Sequence, residues 1–202
     1  VKYTGRAQCY TFSRLITWNR SINKYHFDGM LCHAWYAYKY EYLEAGRSNL
    51  IDGILEISPG TTMQSAESYT DNYRINSFMS RINYNYDDKY YFSASLRSDA
   101  SSRFYKDNHT GTFWSLGANW RMSKENFLKD VKWIDNLSVK ISYGEQGNDD
   151  ILHSNGTSNY YLWQSLYALG WNNANNLGAI ISSLETKDLS WEKNQNLNIG
   201  VE

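Results

Sequence analysis

Apolar and polar side chains alternate along two neighbouring stretches of the chain, 77–86 and 90–99. The apolar positions, interrupted only at Ser80, are Phe78, Ile82, Tyr84, Tyr86, Tyr90, Phe92, Ala94 and Leu96. Successive side chains of a β-strand point to opposite faces, so each stretch is predicted to be a strand with one apolar and one polar face. The short segment between them, 87–89, suits a tight turn, and together the two stretches predict a β-hairpin.

The same two-residue period predicts a series of strands along the whole chain. We place them at about 10–19, 25–43, 77–86, 90–99, 112–122, 137–146 and 189–202. A polar connection is predicted to extend from the second strand to Arg74, and another long one covers 147–188. The segment 123–135 is predicted to interrupt the strands as a short helix, with Ser123 as its N-cap and Glu125 in its first turn.

The connections alternate between short and long along the chain. In an antiparallel meander, this arrangement puts the short turns at one end of the sheet and the long loops at the other, as in outer-membrane barrels. A soluble sandwich can show the same alternation. Aromatic side chains near the short-turn end are also typical of an interfacial girdle, although they occur near turns in ordinary sheets too. These residues are Trp18, Tyr25, Tyr86, Tyr90 and Trp120.

The composition narrows the function classes. The chain has 18 Tyr and 8 Trp among 202 residues, a content of amphipathic rings that favours strands with wet surfaces. Its formal charge of -1, without a cluster of Lys or Arg, does not suit nucleic-acid binding. We recognise no metal-ligand spacing, cofactor motif or catalytic constellation, so neither a metal, a cofactor nor an enzymatic activity is expected. No apolar stretch reaches the roughly 18 residues that a membrane helix requires.

Four ordered passages in the later part of the chain carry a more specific signal. They are 97–104 (RSDASSRF), 111–125 (GTFWSLGANWRMSKE), 142–148 (SYGEQGN) and 188–201 (DLSWEKNQNLNIGV). In order and spacing they resemble the SusC/RagA family of TonB-linked outer-membrane transporters. The chain departs from the family pattern at Ala100, where glycine is usual, and at His109 and Thr110, where Arg-Trp is usual. Both departures fall in a predicted surface loop.

The resemblance implies an all-β fold. The implied architecture is an antiparallel, up-and-down transmembrane β-barrel of about 22 strands with long extracellular loops, in the outer membrane of a Gram-negative bacterium. Seven strands are about a third of such a barrel. We therefore interpret residues 1–202 as a partial barrel domain, without the plug domain, the signal peptide and the remaining strands.

The resemblance also implies a function and partners. The expected function is import of a nutrient. An oligosaccharide is the favoured substrate, and a peptide is the alternative. The expected partners are a SusD-like surface lipoprotein, TonB acting through an N-terminal region outside this sequence, and membrane lipid. A hypothesis from another class is a soluble β-rich glycan-binding or adhesion module, which would pack its apolar faces around a closed core.

Two sets of residues are candidates for contact with a transported nutrient. Aromatic rings can stack on sugar C–H surfaces and amides can bond hydroxyls, although rings in a long connection also serve to pack the loop or to contact a lid protein. The candidates for ligand binding are Tyr160, Tyr161, Trp163, Tyr167, Trp171, Asn172 and Asn173, followed by Asn175 and Asn176. The residues expected to line an aqueous lumen are Arg81, Asn83, Ser93, Ser95, Arg97, Asn119 and Lys140.

Two further groups have expected roles. Arg97, Asp99 and Arg103 carry both signs of charge within a few residues, so we expect ion pairs that brace the loop. Every second residue from Tyr36 to Tyr42 is a tyrosine, which predicts a one-faced ladder that lines the lumen or lies at the outer interface.

Overall fold

The computed structural model describes residues 1–128, 131, 133–174 and 176–202. Within these residues the chain forms nine β-strands and two 3₁₀ turns, Met122–Lys124 and Asn126–Leu128. The strands are β1 (Lys2–Ile22), β2 (Tyr25–Ser48), β3 (Thr62–Tyr86), β4 (Tyr90–Ser101), β5 (Thr110–Arg121), β6 (Ser138–Asn148), β7 (Leu166–Asn173), β8 (Asn176–Ser183) and β9 (Glu192–Val201). None of the helical segments in the described part of the chain is long and apolar enough to cross a membrane.

Seven of the strands form one sheet in the order β1-β2-β3-β4-β5-β6-β9, and β7 and β8 form a separate two-stranded sheet. Neighbours in this sheet are neighbours in sequence except at the last step, where the β7–β8 hairpin is inserted between β6 and β9. Among the described residues, β1 and β9 each have a single neighbouring strand. The predicted all-β, antiparallel, up-and-down arrangement is confirmed.

Two predicted strands, β1 and β3, were too short, and one hairpin was missed. β1 begins at Lys2 and β3 begins at Thr62, so most of the polar connection predicted to extend to Arg74 is strand. The connection after β6 contains the β7–β8 hairpin, which the sequence did not predict. The early parts of β1 and β3 carry polar side chains on both faces, and bulges interrupt the β7–β8 pairing, so the two-residue hydropathy period is lost in these places.

The predicted helix at 123–135 is replaced by two 3₁₀ turns over its described residues, and 129, 130 and 132 lie outside them. Ser123 lies inside the first turn, whose N-cap is Arg121. The backbone N–H of Ser123 donates to the carbonyl of Leu137 at 3.1 Å. Because the segment is tied to the chain entering β6, it folds as short turns instead of a free helix.

The turns that join β1 to β2 and β3 to β4 use residues with positive φ. Asn23 has φ 52°, Asp87 has φ 54° and Asp88 has φ 52°. Asn and Asp tolerate this left-handed conformation better than most residues, and tight hairpins require it. The backbone N–H of Asp87 donates to the carbonyl of Lys24 at 2.8 Å, which links the two turns.

The chain divides into two compact units. The first comprises Val1–Thr11 and Tyr36–Arg74, and the second comprises Phe12–Trp35 and Ile75–Glu202. In the first unit, tyrosines of β2 and β3 contact one another. In the second unit, three aromatic side chains form a small buried core.

Candidate functional site

The strand registers bring the polar positions of the second unit onto one face. One row crosses the sheet through Asn83, Ser93, Gly117, Ser142 and Asn198. This face, defined by that row and the rows beside it, is called the polar face below. A one-residue shift in any register would move that strand's polar side chains to the opposite face, so the agreement across five strands defines the face.

The neighbouring rows contain the other residues predicted to line the lumen. Arg81 lies opposite Ser95, whose hydroxyl is 2.7 Å from that of Ser115. Asn119 lies opposite Lys140. Arg97 lies opposite Met79 of β3 and Phe113 of β5, an even number of residues from Ser95, so it is on the same face. All seven predicted residues therefore share the polar face, while their contact with a lumen stays a prediction.

The opposite face, called the apolar face below, is exposed. Its central row runs through Ile82, Ala94, Leu116, Tyr143 and Leu197. Ile82 is 62% exposed, Leu116 55% and Leu197 61%. An apolar surface that extends over five strands is larger than monomeric soluble proteins usually expose, so this face requires a non-aqueous environment or a partner.

Aromatic rings form a continuous row on the apolar face at the short-turn end. The ring of Tyr25 is 5.0 Å from that of Tyr86, and Tyr86 is 6.3 Å from Tyr90. Tyr90 in turn stacks on Trp120 at 6.5 Å. The row spans β2 to β5, and Trp18 contacts a phenylalanine of β2 beside it. These residues lie together at the short-turn end as predicted, while their place at a membrane interface stays a prediction.

Glu125 anchors the turn after β5 to this aromatic row. Its carboxylate accepts hydrogen bonds from the Tyr90 hydroxyl at 2.5 Å, from Trp120 Nε1 at 3.3 Å and from Lys89 Nζ at 3.3 Å. The hydrogen bond from Tyr90 is the largest cause of a pKa for Glu125 below its usual value. Sequence reasoning placed Glu125 in a helix and missed this role, although its motif position close to Trp120 was a usable signal.

The Glu125 contacts predict a pH-dependent contribution to stability. Because the folded-state pKa of Glu125 is below its usual 4.5, its stabilisation is complete above that pH and is lost as pH falls through the lower folded-state value. We expect Glu125→Gln to lower the denaturation temperature of the full-length protein in detergent at pH 7, and this difference to shrink at pH 3. Glu185→Gln is the control, since the Glu185 carboxylate has one partner among the described residues, the exposed Lys187. A difference that is equal at both pH values would contradict the prediction.

Ion pairs brace the opposite end of β4, as predicted. Arg97 Nε lies 2.6 Å from the carboxylate of Asp99, which is 3% exposed. Arg103 is 7% exposed, forms an ion pair with Asp150 and donates to the carbonyl of Asp149 at 3.0 Å. These contacts join the motif passage 97–104 to the chain that follows β6.

A small aromatic core lies next to these ion pairs. Trp191 contacts Phe104 with ring centroids 5.5 Å apart and meets Phe113 edge-on at 5.4 Å. Its indole Nε1 donates to the carbonyl of His109 at 2.9 Å. Half-buried Ile75, Ile151 and Leu189 pack around the three rings. The core therefore joins residues from three of the four motif passages.

Two motif glycines make room for this core. A Cβ on Gly147 would overlap the ring of Phe113. A Cβ on Gly111 would lie 2.6 Å from Phe113 Cζ and 2.8 Å from Trp191 Cδ1. Sequence reasoning did not identify a role for either glycine, and the available signal was their fixed place in the motif passages.

We expect Gly147→Ala to destabilise the protein by about 1–3 kcal/mol, because the added methyl group must displace a buried ring. Gly200→Ala is the matched control, since nothing lies within 4 Å of its Cβ position. The measurement is the free energy of unfolding of the full-length protein in lipid or detergent by denaturant titration. Equal effects of the two substitutions would contradict this account of Gly147.

Three of the predicted ligand-binding residues pack against the connection that follows β4 or against each other. The guanidinium of Arg103 lies 5.0 Å from the ring of Tyr160. The ring of Tyr161 is 6.3 Å from that of Tyr160. Trp163 Nε1 donates to the carbonyl of Ser102 at 3.2 Å, and its ring is 6.1 Å from that of Tyr105. These contacts support a packing role, which the sequence left open beside a ligand role.

The remaining predicted ligand-binding residues lie on the β7–β8 hairpin. Tyr167 and Trp171 are each 58% exposed. Asn172 and Asn173 end β7, where the backbone of Asn173 pairs with Asn176 at the start of β8. Asn175 is outside the described residues. The structure thus separates the predicted set into loop-packing rings and an exposed hairpin, and contact of either group with a ligand stays a prediction.

The chain belongs to the family of TonB-dependent receptor-like β-barrels, because residues 3–202 match the model of that family. Members of the family are outer-membrane proteins of Gram-negative bacteria. The chain is 30% identical over 140 residues to the TonB-dependent receptor SusC of Bacteroides thetaiotaomicron, which covers 69% of this chain and 14% of SusC. It is 27% identical over 190 residues to the TonB-dependent receptor P3 of Formosa agariphila, covering 93% of this chain and 19% of that receptor.

Solved structures agree with these sequence relatives. The chain superposes on the RagAB peptide transporter with a TM-score of 0.88 and 27% identity, covering 98% of this chain and 22% of that chain. The predicted resemblance to SusC/RagA receptors is confirmed. The chain spans less than a quarter of the length of the relatives it matches.

Proposed function

We propose that this chain forms part of the wall, lumen lining and outer loops of a TonB-dependent transporter that imports an oligosaccharide across the outer membrane of a Gram-negative bacterium. The rest of a barrel of about 22 strands, together with the plug that TonB acts on, would come from outside this sequence. The proposal rests first on the faces of the sheet and then on its loops.

The observation that carries the proposal is the pair of opposed faces in the second unit. The apolar face exposes Ile82, Leu116 and Leu197, and the polar face behind it carries serine, asparagine, lysine and arginine. A transmembrane barrel has this polarity, with apolar residues toward lipid and polar residues toward an aqueous lumen. A soluble glycan-binding module would bury its apolar face, which the described residues do not do.

The choice of an oligosaccharide rests on the exposed aromatic side chains of the β7–β8 hairpin and on the amide residues that follow Trp171 in the sequence. Tyr167 and Trp171 present ring faces to solvent beside Asn172 and Asn173 in the sequence. A peptide is the second candidate, because the chain resembles the RagAB peptide transporter along almost its whole length.

A SusD-like lipoprotein is the proposed surface partner. The β7–β8 hairpin exposes Leu169 at 78% and Leu177 at 91%. An isolated two-stranded hairpin is marginally stable in water at best, so a partner that covers these side chains would stabilise it.

Depletion of nutrients by living cells tests the proposal. A strain that lacks the full-length gene and its complemented counterpart are given fractionated digests of mixed polysaccharides and of protein, and mass spectrometry follows which components leave the medium. We expect oligosaccharides to disappear only from the complemented culture, and a protonophore to prevent this because TonB is energised by the inner membrane. Receptor-dependent loss of peptides would favour the second candidate, and no receptor-dependent loss would overturn the transport proposal.

A further inference from the structure

Tyrosines form a continuous surface on one side of the first unit. Those on β2 occupy every second position, which places them on one face of the strand. Ring contacts join them to tyrosines of β3, with centroids 5.9 Å apart for Tyr36 and Tyr73, 6.1 Å for Tyr40 and Tyr69, and 5.1 Å for Tyr42 and Tyr69. The tyrosine face is defined here as Tyr36, Tyr38, Tyr40, Tyr42, Tyr69 and Tyr73.

β1 continues this face on the other side of β2. A Cβ on Gly5 would lie 2.5 Å from the hydroxyl oxygen of Tyr40, so the missing side chain leaves room for that ring. The Tyr36 hydroxyl donates to Cys9 Sγ at 3.7 Å. Small side chains on β1 therefore let the β2 rings lie across the neighbouring strand as a broad platform.

The tyrosine face differs from a lipid-contacting aromatic girdle. From Tyr36 to Tyr42 it extends about 20 Å along β2, at about 3.3 Å per residue, whereas a girdle occupies one level of the interface. The opposite face of the same stretch carries Lys39 and Glu41, paired at 2.5 Å and each more than 40% exposed. Because charges on a lipid-facing surface are costly, this stretch lies in water on both sides.

The charged groups on the tyrosine face are acidic. Glu67 and Asp71 alternate with Tyr69 and Tyr73 along β3, and Glu44 follows Tyr42 at the same spacing on β2. The Tyr42 hydroxyl donates to Glu44 at 2.7 Å. No Lys or Arg occupies these alternate positions between 36 and 48 or between 63 and 73. Like charges repel, so these carboxylates disfavour an anionic ligand.

On this basis we propose that the tyrosine face binds a neutral oligosaccharide during uptake, an inference that rests on the proposed transport function. Tyr side chains offer rigid, amphipathic contact area at a low entropy cost. Ring faces can pack on sugar C–H groups, while tyrosine hydroxyls and carboxylates hydrogen-bond sugar hydroxyls. β2 lies between β1 and β3, so a peptide cannot bind to it by strand addition. These features favour a saccharide over a peptide and a neutral saccharide over a uronic acid or sulfated one.

Binding to the full-length receptor in detergent, measured by calorimetry, tests this inference. The probes are neutral hexasaccharides of glucose, mannose, xylose and galactose, compared with hexagalacturonate and hexalysine. We expect the tightest probe to be neutral, and Tyr40→Ala and Tyr69→Ala each to weaken it roughly tenfold or more, the scale of a lost aromatic anchor. Leu43→Ala is the matched control, since Leu43 is exposed on the opposite face of β2.

Two further variants separate binding from folding. Tyr40→Phe keeps the ring and is expected to retain most of the affinity. Gly5→Val leaves every tyrosine in the chain but displaces the Tyr40 ring, and it is expected to weaken binding. Tighter binding of hexagalacturonate or hexalysine, binding of none of the probes, or equal losses in Tyr40→Ala and Leu43→Ala would overturn the inference. Receptor-dependent depletion of oligosaccharides by cells would still stand in those cases, so the two proposals fail separately.

Discussion

Trp191→Ala is expected to lower the free energy of unfolding by about 3–5 kcal/mol, the cost of removing a buried aromatic side chain. Trp191 is 9% exposed and contacts both Phe104 and Phe113, so the substitution leaves a cavity between two rings. It also removes the indole donor to the carbonyl of His109. Denaturant titration of the full-length protein in lipid vesicles measures the loss, and protease sensitivity of the loops 102–109 and 149–165 follows its local effect.

Two further variants test whether burial and the hydrogen bond of Trp191 account for its effect on stability. Trp133→Ala removes an indole that is 83% exposed and is expected to change stability by less than about 0.5 kcal/mol. Trp191→Phe keeps most of the ring volume and loses the hydrogen bond, so it should fall between the wild type and the alanine variant. A Trp191→Ala protein as stable as Trp133→Ala would show that the aromatic core contributes nothing to the fold.

Leu116→Arg is expected to destabilise the membrane-inserted protein by about 2–4 kcal/mol, the cost of a cation on the lipid face near the bilayer midplane. Leu116 is 55% exposed and lies between Ala94 and Tyr143 in the central row of the apolar face. The guanidinium would have to remain in hydrocarbon or distort the surrounding lipid. Folding into vesicles of defined thickness, followed by denaturant titration, measures this cost.

Asn198→Arg is the matched control for this experiment. Asn198 lies opposite Ser142 on the polar face, where an added cation would remain hydrated in a lumen. Its substitution is expected to change stability by less than about 1 kcal/mol. If the two arginine variants were equally stable, the apolar face would not contact lipid and the wall proposal would fail.

Sequence patterns predicted β4, β5, β6 and β9 of the second unit well, but they missed the β7–β8 hairpin and predicted the strands of the first unit poorly. Apolar and polar residues alternate clearly over most of β4, β5 and β6 and in the second half of β9, because one face there is apolar and the other polar. The start of β3, from Thr62 to Arg74, has polar or charged residues on both faces and few turn residues to mark its boundaries. Periodicity reports a difference between two environments, and a strand with water on both sides provides no such difference.

The contacts at the end of the sheet that carries the long connections could be predicted only in part. Opposite charges close in sequence indicated that Arg97 and Asp99 would pair, and they do. The partner of Arg103 could not be found in the same way, since Asp150 lies 47 residues further along the chain. Gly147 of β6 has its role only because the neighbouring strand β5 brings the ring of Phe113 to it. Gly111 has its role because Trp191, distant in sequence, packs beside it and Phe113. Such roles depend on register, which the motifs do not encode in an obvious form.

The wide separation of the core residues along the chain has a consequence for the order of folding. Trp191 bonds a carbonyl 82 residues before it, and it reaches that position only after β9 has paired with β6. Closing such a long loop is entropically costly and slow compared with forming the β3–β4 hairpin. We therefore expect the aromatic core to be among the last contacts of this region to form. Until then the loop end of β4 and β5 stays open to proteases, which would let a cell distinguish a finished wall from an unfinished one.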